Sequence, residues 1–143
     1  MCVLGIDFGE KRVGLALSDP KARYAIPLTT LERRNDRSVA REICRLAAER
    51  GVVRLVLGEP LGLDGNRGEA AQRVRRFGNR LEKTSGLPLQ YVDEALTSVE
   101  AEAQLREMGV DPRKNPGRVD SLAAQILLQE ALARQAPVAE DPQ

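Results

Sequence analysis

Four acidic residues that could take part in catalysis lie near the ends of predicted strands or helices. Asp7 interrupts the apolar run CVLGIDF at residues 2–8, and Asp93 and Glu94 follow PLQYV. Asp120 precedes the apolar stretch SLAAQILL. A carboxylate inside a strand pattern opposes both burial and β-propensity, so it needs a partner or a purpose. The chain has no histidine, which leaves carboxylates as the candidates for any catalysis.

Convergence of these acids would create a metal site. In an open α/β sheet, sites form at the carboxyl ends of strands, so Asp7 and Glu94 would meet if the first and last strands were close neighbours. Asp120 would start the final helix nearby, and small Ala123 and Ala124 would let that helix approach the sheet. Converging carboxylates repel unless a cation lies between them. Oxygen ligands favour Mg²⁺ or Mn²⁺, and two such ions can clamp the attacking water and the leaving oxygen in phosphodiester cleavage.

Each acid also has a purely structural explanation. Asp7 could accept hydrogen bonds from the turn amides that follow it, and Asp93 could pair with an arginine. Glu94 could be a solvated loop residue, and Asp120 could favour a helix N-terminus through the helix dipole. The metal-site hypothesis depends on their common placement at the ends of elements.

Basic residues are clustered although the net charge is only +1. Residues 33–54 hold seven arginines against three acids, and residues 67–83 hold five arginines and one lysine against two acids. These are either two solvated helix faces or a positive surface that attracts polyanions. The candidate nucleic-acid contacts are Lys11, Arg12, Arg73, Arg76, Arg113, Lys114 and Arg118. An aromatic content of 3% argues against recognition by base stacking.

The elements that must position these residues are predicted in the order βββαβαβαα. Strands are predicted at 3–8, 12–18, 25–32, 52–57 and 88–92, and helices at about 36–50, 69–83, 97–109 and 119–134. Three antiparallel strands followed by strands that alternate with helices imply a mixed α/β sheet covered by helices. We expect one domain at 1–135, a mobile loop at 109–118 and a disordered tail at 136–143.

Other features narrow the function less. The loop LGEPLGLDGNRGE at 57–69 follows a strand and opens a helix, so it is either a phosphate cradle or a plain connection. It matches neither GxGxxG nor GxxxxGK[ST]. Cys2 and Cys44 lack metal-ligand spacing. With no apolar run near 20 residues and no leader-like start, we expect a cytoplasmic protein without a membrane span.

Four motifs occur in order over nearly the whole chain. They are GIDFGEKRVGLALSD (5–19), LVLGEPLGLDG (55–65), YVDEALTS (91–98) and VDSLAAQILLQ (119–129). Together they resemble the motifs of the YqgF family, also called RuvX or Holliday-junction-resolvase-like. The resemblance implies an RNase H-like fold with a mixed five-stranded sheet. It also implies a Mg²⁺- or Mn²⁺-dependent nuclease acting on the 5′ end of pre-16S ribosomal RNA in ribosome biogenesis. Its catalytic acids fall on Asp7, Glu94 and Asp120, with Asp93 as a further metal ligand.

Three positions depart from the family pattern. Ala95 stands where an arginine usually follows the acid pair, and Glu59 and Gly62 replace an apolar residue and an asparagine in the loop after the fourth strand. The acids are untouched, so the expected metal site is unaffected. Loss of the usual arginine and asparagine is expected instead to weaken a contact to a substrate phosphate.

Three other functions are compatible with the sequence. A Holliday junction resolvase would use the same chemistry on branched DNA and would need a dimer that matches the two-fold axis of the junction. GIDFGEKRVG also resembles the first phosphate loop of actin-like ATPases and sugar kinases, which need two such domains where these 143 residues supply one. A non-catalytic RNA-binding or ribosome-associated module is the third. The partners expected are structured RNA in ribosomal particles or branched DNA, with the chain as a monomer or homodimer.

Overall fold

The ordered elements of the computed structural model follow the predicted order. It describes residues 1–61, 68–94 and 97–135, so the predictions that fall on Gly62, Ala95 and the tail at 136–143 lie outside the described residues. The elements are β1 (Cys2–Phe8), β2 (Arg12–Ser18), β3 (Ala25–Glu32), α1 (Asp36–Glu49), β4 (Val52–Glu59), α2 (Glu69–Ser85), β5 (Leu89–Asp93), α3 (Thr97–Glu107), a 3₁₀ turn (Pro112–Lys114) and α4 (Pro116–Gln135).

The strands form one mixed sheet in the order β3-β2-β1-β4-β5. β1, β2 and β3 pair antiparallel, whereas β1, β4 and β5 pair parallel. This arrangement confirms the predicted mixed five-stranded sheet flanked by helices.

Local signals explain where the two helices on one side of the sheet begin and end. The Asn35 side chain caps α1 by accepting a hydrogen bond from the backbone N–H of Ser38. Gly86 ends α2 with a φ of 72°, a left-handed conformation that glycine adopts without a steric cost. No helix in the described segments combines the length and the apolar character that crossing a membrane requires.

Two hydrophobic clusters lie on opposite faces of the sheet. Leu4, Ile6 and Phe8 of β1 pack with residues of α1 and α2, while Val3 of β1 packs with residues of α4. Side chains alternate between the faces of a strand, so Asp7 must point towards the α4 face. The first acid is therefore on the side of the sheet that α4 covers.

Glycines allow α4 to lie unusually close to the strands. A Cβ on Gly5 would lie 2.7 Å from the Cβ of Leu128, and a Cβ on Gly14 would lie 2.1 Å from the backbone oxygen of Asp120. Real Cβ atoms do not approach other atoms this closely. Because glycine has no side chain, Gly14 thus allows the backbone of Asp120 to lie directly against β2.

The segment before α4 differs from the mobile loop predicted at 109–118. It contains the 3₁₀ turn, where the Asp111 side chain accepts a hydrogen bond from the N–H of Arg113. Pro116 then opens α4, as proline at a first helical position does because its missing N–H would be unsatisfied there anyway. Asp120 consequently lies in the second turn of α4, and the prediction that it starts the helix is wrong.

Candidate active site

Asp7 is buried near the C-terminal end of β1, with 8% of its surface exposed. It pairs in register with Gly14 of β2, which carries no side chain to cover it. Burial raises the pKa of Asp7 to about 6, a hydrogen bond with Glu94 opposes that rise, and the charge of Asp120 adds to it. Asp7 therefore interacts with both of the other predicted catalytic acids.

Glu94 reaches Asp7 across an intervening strand. β4 lies between β1 and β5, so the strands that carry the two acids are not neighbours. The acids were expected to meet only if these strands were close neighbours. Gly58 of β4 leaves the path open, because a Cβ there would lie 2.5 Å from Glu94 Oε1 and 3.1 Å from the Cβ of Glu94. A glycine in the middle strand thus lets the two carboxyl groups meet.

The carboxyl group of Glu94 is shielded from water and lies beside another acid. Burial, the charge of Asp7, a hydrogen bond to Asp7 and the charge of Asp93 raise the pKa of Glu94 to about 9. Its Oε1 atom is buried and has no hydrogen-bond donor in the part of the chain that the structure describes. A proton shared with Asp7 or a bound cation would satisfy this oxygen.

Asp120 lies beside this pair but is engaged by an arginine. Arg12 Nε donates to Asp120 Oδ2 at 2.6 Å, and the two side chains are 34% and 21% exposed. Arg12, predicted as a phosphate contact, is therefore an ion-pair partner of a candidate metal ligand. Across residues 1–61, 68–94 and 97–135, no three acidic, thiol or imidazole groups lie close enough together to hold a metal ion.

Asp93 does not join the pair. It ends β5 next to Glu59 of β4, and strand alternation turns it to the same face as Tyr91, which packs against the α1 and α2 cluster. Its side chain is exposed, and its charge acts on Glu94. The structure thus separates the two consecutive acids onto opposite faces of the sheet.

The acid pair has the chemistry of a hard-cation site. Asp7 and Glu94 offer only oxygen ligands, which suit Mg²⁺ or Mn²⁺ better than softer metals. Two adjacent carboxyls with one buried oxygen that lacks a donor would be satisfied by a cation between them. These two residues fit such an ion, whereas Asp120, whose charge acts on Asp7, is paired with Arg12.

A cavity of about 200 Å³ opens beside Glu94, and two arginines line it. Arg73 of α2 reaches it, and its one ion pair among the described residues is a long contact to Glu10, 4.0 Å. Arg33 lies 4.1 Å from the centre of the Phe8 ring and donates through Nη1 to the backbone oxygen of Gly9 at 3.1 Å. The cavity therefore combines one catalytic candidate with fixed positive charge.

Arg33 was not among the predicted site residues, although the sequence carried a signal for it. It directly follows β3, and its N–H bonds the backbone oxygen of Lys11 in the turn between β1 and β2. Because β2 and β3 are antiparallel, the residue after β3 must lie beside that turn. Its position near the site thus followed from the antiparallel arrangement predicted for the first three strands.

The remaining basic candidates are exposed and lie away from the described cavity. Lys11 is in the turn after β1, Arg76 is on the outer side of α2, and three others surround the start of α4: Arg113, Lys114 and Arg118. None of the five lines the cavity beside Glu94. Their predicted contacts to nucleic acid remain predictions.

A buried ion pair supports the end of β4 and was also not predicted. Glu59, 3% exposed, accepts two hydrogen bonds from Arg75 of α2, from Nε at 2.7 Å and from Nη2 at 2.9 Å. The guanidinium lies 3.7 Å from the centre of the Tyr91 ring. The backbone oxygen of Glu59 in turn accepts the N–H of Glu94 at 3.2 Å. This departure from the family pattern therefore has a structural partner next to the acid pair.

Comparisons with known proteins agree with this architecture. Solved structures similar to this chain include RuvC of Thermus thermophilus, with a TM-score of 0.60 and 16% identity over 96% of this chain and 97% of that one. The yeast mitochondrial Holliday junction resolvase gives a TM-score of 0.58 and 12% identity over 97% of this chain and 80% of that one. At this identity the likeness establishes the fold, which is the RNase H-like fold that was predicted.

Sequence relatives are much closer. A protein of Chloroflexus aggregans is 45% identical over 94% of this chain and 96% of its own length, and one of Anaeromyxobacter dehalogenans is 42% identical over 96% of this chain and 100% of its own. Both carry the name "Putative pre-16S rRNA nuclease". The family model RuvX, described as Holliday junction resolvase, matches residues 1–134. The chain therefore belongs to the RuvX (YqgF) family of resolvase-like nucleases.

Proposed function

We propose that this protein is a divalent-metal-dependent nuclease that cleaves structured ribosomal RNA precursors, at the 5′ end of pre-16S rRNA. The observation that carries the metal dependence is the contact between Asp7 and Glu94 across Gly58, with one buried carboxylate oxygen left without a donor. The names of the relatives support the RNA substrate. Processing of ribosomal RNA in a bacterial cell would make the protein cytoplasmic.

The acids would hold the metal, and the chain's other groups would prepare the substrate. Asp7 and Glu94 would be ligands, and Asp120 would join them by exchanging Arg12 for the ion. Bound Mg²⁺ or Mn²⁺, as two ions in this proposal, would supply Lewis acidity that lowers the pKa of water and neutralises charge on the phosphate. Arg12, released from Asp120, would then be free to contact a phosphate oxygen.

The cavity beside Glu94 suits the phosphodiester that is cut. Arg33 is held by Asp36, by the turn carbonyls and by the Phe8 ring, so its guanidinium is already oriented. A preorganised cation loses little side-chain entropy when it binds a phosphate. Arg73 on the opposite wall is bound weakly enough to turn towards a substrate.

Resolution of branched DNA is the second candidate. The fold is that of a RuvC solved in complex with Holliday junction substrate, with a TM-score of 0.59. A resolvase must cut two strands symmetrically, so this function requires a dimer with a two-fold axis. Cleavage at one RNA end imposes no such symmetry.

The test offers both substrates to the same protein. A 5′-extended 16S rRNA fragment and a four-way DNA junction are incubated with the wild type and with Asp7→Asn, in Mg²⁺, in Mn²⁺ and in EDTA. We expect metal-dependent cleavage of the RNA and a loss of at least about 100-fold in Asp7→Asn, beyond what loss of a supporting residue causes. Binding of the RNA in EDTA should persist in the variant.

The other outcomes separate the alternatives. Cleavage of the junction alone, by a dimer, would favour the resolvase. Equal cleavage by the wild type and Asp7→Asn would indicate a contaminating nuclease. Binding without cleavage in any metal would leave a non-catalytic RNA-binding module.

A further inference from the structure

The outer side of α2 carries a groove that the proposed reaction does not use. Its volume is about 330 Å³, and it lies between exposed side chains that are all hydrogen-bond donors or cations: Arg76, Asn79, Arg80, Lys83 and Thr84. No acidic side chain contributes to its lining. The groove therefore favours an anion.

The cations of this groove are not neutralised by the protein. Within the described residues, Arg76, Arg80 and Lys83 form no ion pair with an acidic side chain. The arginine of α1 at position 45 is different, because Glu42 and Glu49 both pair with it. Three uncompensated cations on one helix face repel one another, and only a polyanion relieves that repulsion at several points at once.

The groove lies next to the cavity of the candidate active site along α2. Arg73 lines the cavity beside Glu94, and Arg76 lies one helical turn further along α2 in the groove. The four cations at 73, 76, 80 and 83 follow each other at spacings of three and four, which keeps them on one side of a helix. At 1.5 Å per residue, this row spans about 15 Å, or roughly four nucleotides at 3.4 Å each.

We propose that the outer face of α2 is a non-catalytic binding site for the phosphodiester backbone of the same nucleic acid whose scissile phosphate enters the cavity beside Glu94. This inference rests on the proposed function for its ligand. The row from Arg73 to Lys83 holds the strand that leaves the cavity and sets its direction along α2. Binding is independent of base sequence, because every lining group addresses phosphate oxygens or is a neutral donor.

The test measures binding without cleavage. Fluorescence anisotropy of a labelled 5′-extended rRNA fragment in EDTA gives the Kd from 50 to 200 mM salt for the wild type and for Arg80→Gln/Lys83→Gln. Each lost phosphate contact lowers the slope of log Kd against log salt by about 0.7–0.9. Over this fourfold salt range, the affinity of the wild type should therefore fall about 7- to 12-fold more than that of the double variant.

A matched control removes the same charge elsewhere. Lys21 lies in the turn between β2 and β3, and Arg134 lies in the last turn of α4; both are exposed and neither belongs to α2. Lys21→Gln/Arg134→Gln should keep the wild-type slope. An equal loss of slope in both double variants would mean that net charge alone acts, and it would overturn the proposal.

The strand's position on α2 is tested by neutral linkages. Methylphosphonate blocks are placed at successive positions in the RNA, and one block should weaken binding of the wild type but not of Arg80→Gln/Lys83→Gln. If no block behaves this way, the row does not hold the backbone. If the wild type binds a polyglutamate peptide and not the RNA, the groove serves an acidic protein instead.

These measurements distinguish failure of the proposed α2 binding site from failure of the proposed nuclease activity. Absence of cleavage together with a reduced slope in the double variant would refute the nuclease and keep the α2 site. Normal cleavage together with an unchanged slope would refute the α2 site and keep the nuclease. Should the double variant unfold, Arg76→Gln alone should lower the slope by about 0.7–0.9, and an unchanged slope there counts against the site.

Discussion

Replacing Glu94 by glutamine should stabilise the metal-free protein at neutral pH. The folded state raises the pKa of Glu94 from 4.5 to about 9, first through burial and then through Asp7. Between these two pH values the unfolded chain releases the Glu94 proton while the folded chain keeps it. The free energy of unfolding therefore falls as pH rises from 4.5 to 9, and the stability that Glu94 costs is regained only below pH 4.5.

The size of the effect follows from the difference between the working pH and the pKa of Glu94 in the unfolded chain. Each pH unit between the two pKa values costs about 1.4 kcal/mol, so at pH 7 the carboxyl of Glu94 lowers the free energy of unfolding by about 3 kcal/mol. The neutral amide of Glu94→Gln carries no such cost and can donate to Asp7 in the same way. The variant should thus be more stable than the wild type by about 3 kcal/mol at pH 7 and by nearly nothing at pH 4.

Urea unfolding in EDTA at pH 4, 7 and 8.5, followed by circular dichroism, measures this difference. Glu107→Gln is the control, because Glu107 is exposed at the end of α3 and its substitution should change stability by less than about 0.5 kcal/mol at any pH. A Glu94→Gln variant that is no more stable at pH 7, or whose gain does not shrink towards pH 4, would refute a buried carboxyl pair at this site.

Two further substitutions test how the site is supported. Gly58→Ala places a Cβ 2.5 Å from Glu94 Oε1, so cleavage should fall more than about 10-fold and stability by about 1–3 kcal/mol. Gly68→Ala meets nothing within 4 Å, so it should cleave as the wild type does and lose only about 0.5–1 kcal/mol, because Gly68 is the N-cap of α2. Wild-type cleavage by Gly58→Ala would show that Glu94 does not need this path. Arg75→Met removes the two hydrogen bonds that Arg75 donates to buried Glu59 and should cost about 1–3 kcal/mol in urea unfolding at pH 7. A variant as stable as the wild type would show that this ion pair does not stabilise the end of β4.

The order of elements could be read from the sequence because hydrophobic periodicity and turn residues are local signals. The strand predicted at 12–18 and the helices predicted to begin at about 36 and 69 have these starts in the structure. The start of α4 was misplaced because prolines and glycines at 109–118 were interpreted as breakers, whereas Pro116 opens the helix. A proline specifies a helix start as readily as a loop, and local composition does not distinguish the two.

The site was harder to predict because its geometry depends on strand order. The sequence identified Asp7 and Glu94 as candidates but not the strand that separates them, and therefore not the role of Gly58. The ion pair that engages Asp120 joins residues 108 positions apart, which no local pattern reports. Arg33 was the exception, since the β2–β3 hairpin alone would have placed it beside the first turn.

The ion pair between Arg12 and Asp120 also has a consequence for the timing of synthesis. A chain leaves the ribosome from its N-terminus at about 5–20 residues per second, so Asp7 and Arg12 emerge seconds before the last helix that carries Asp120. The surface of β2 at Gly14, against which that helix packs closely, stays uncovered until then. In the proposed function, the metal site is therefore incomplete until the last helix has been synthesised.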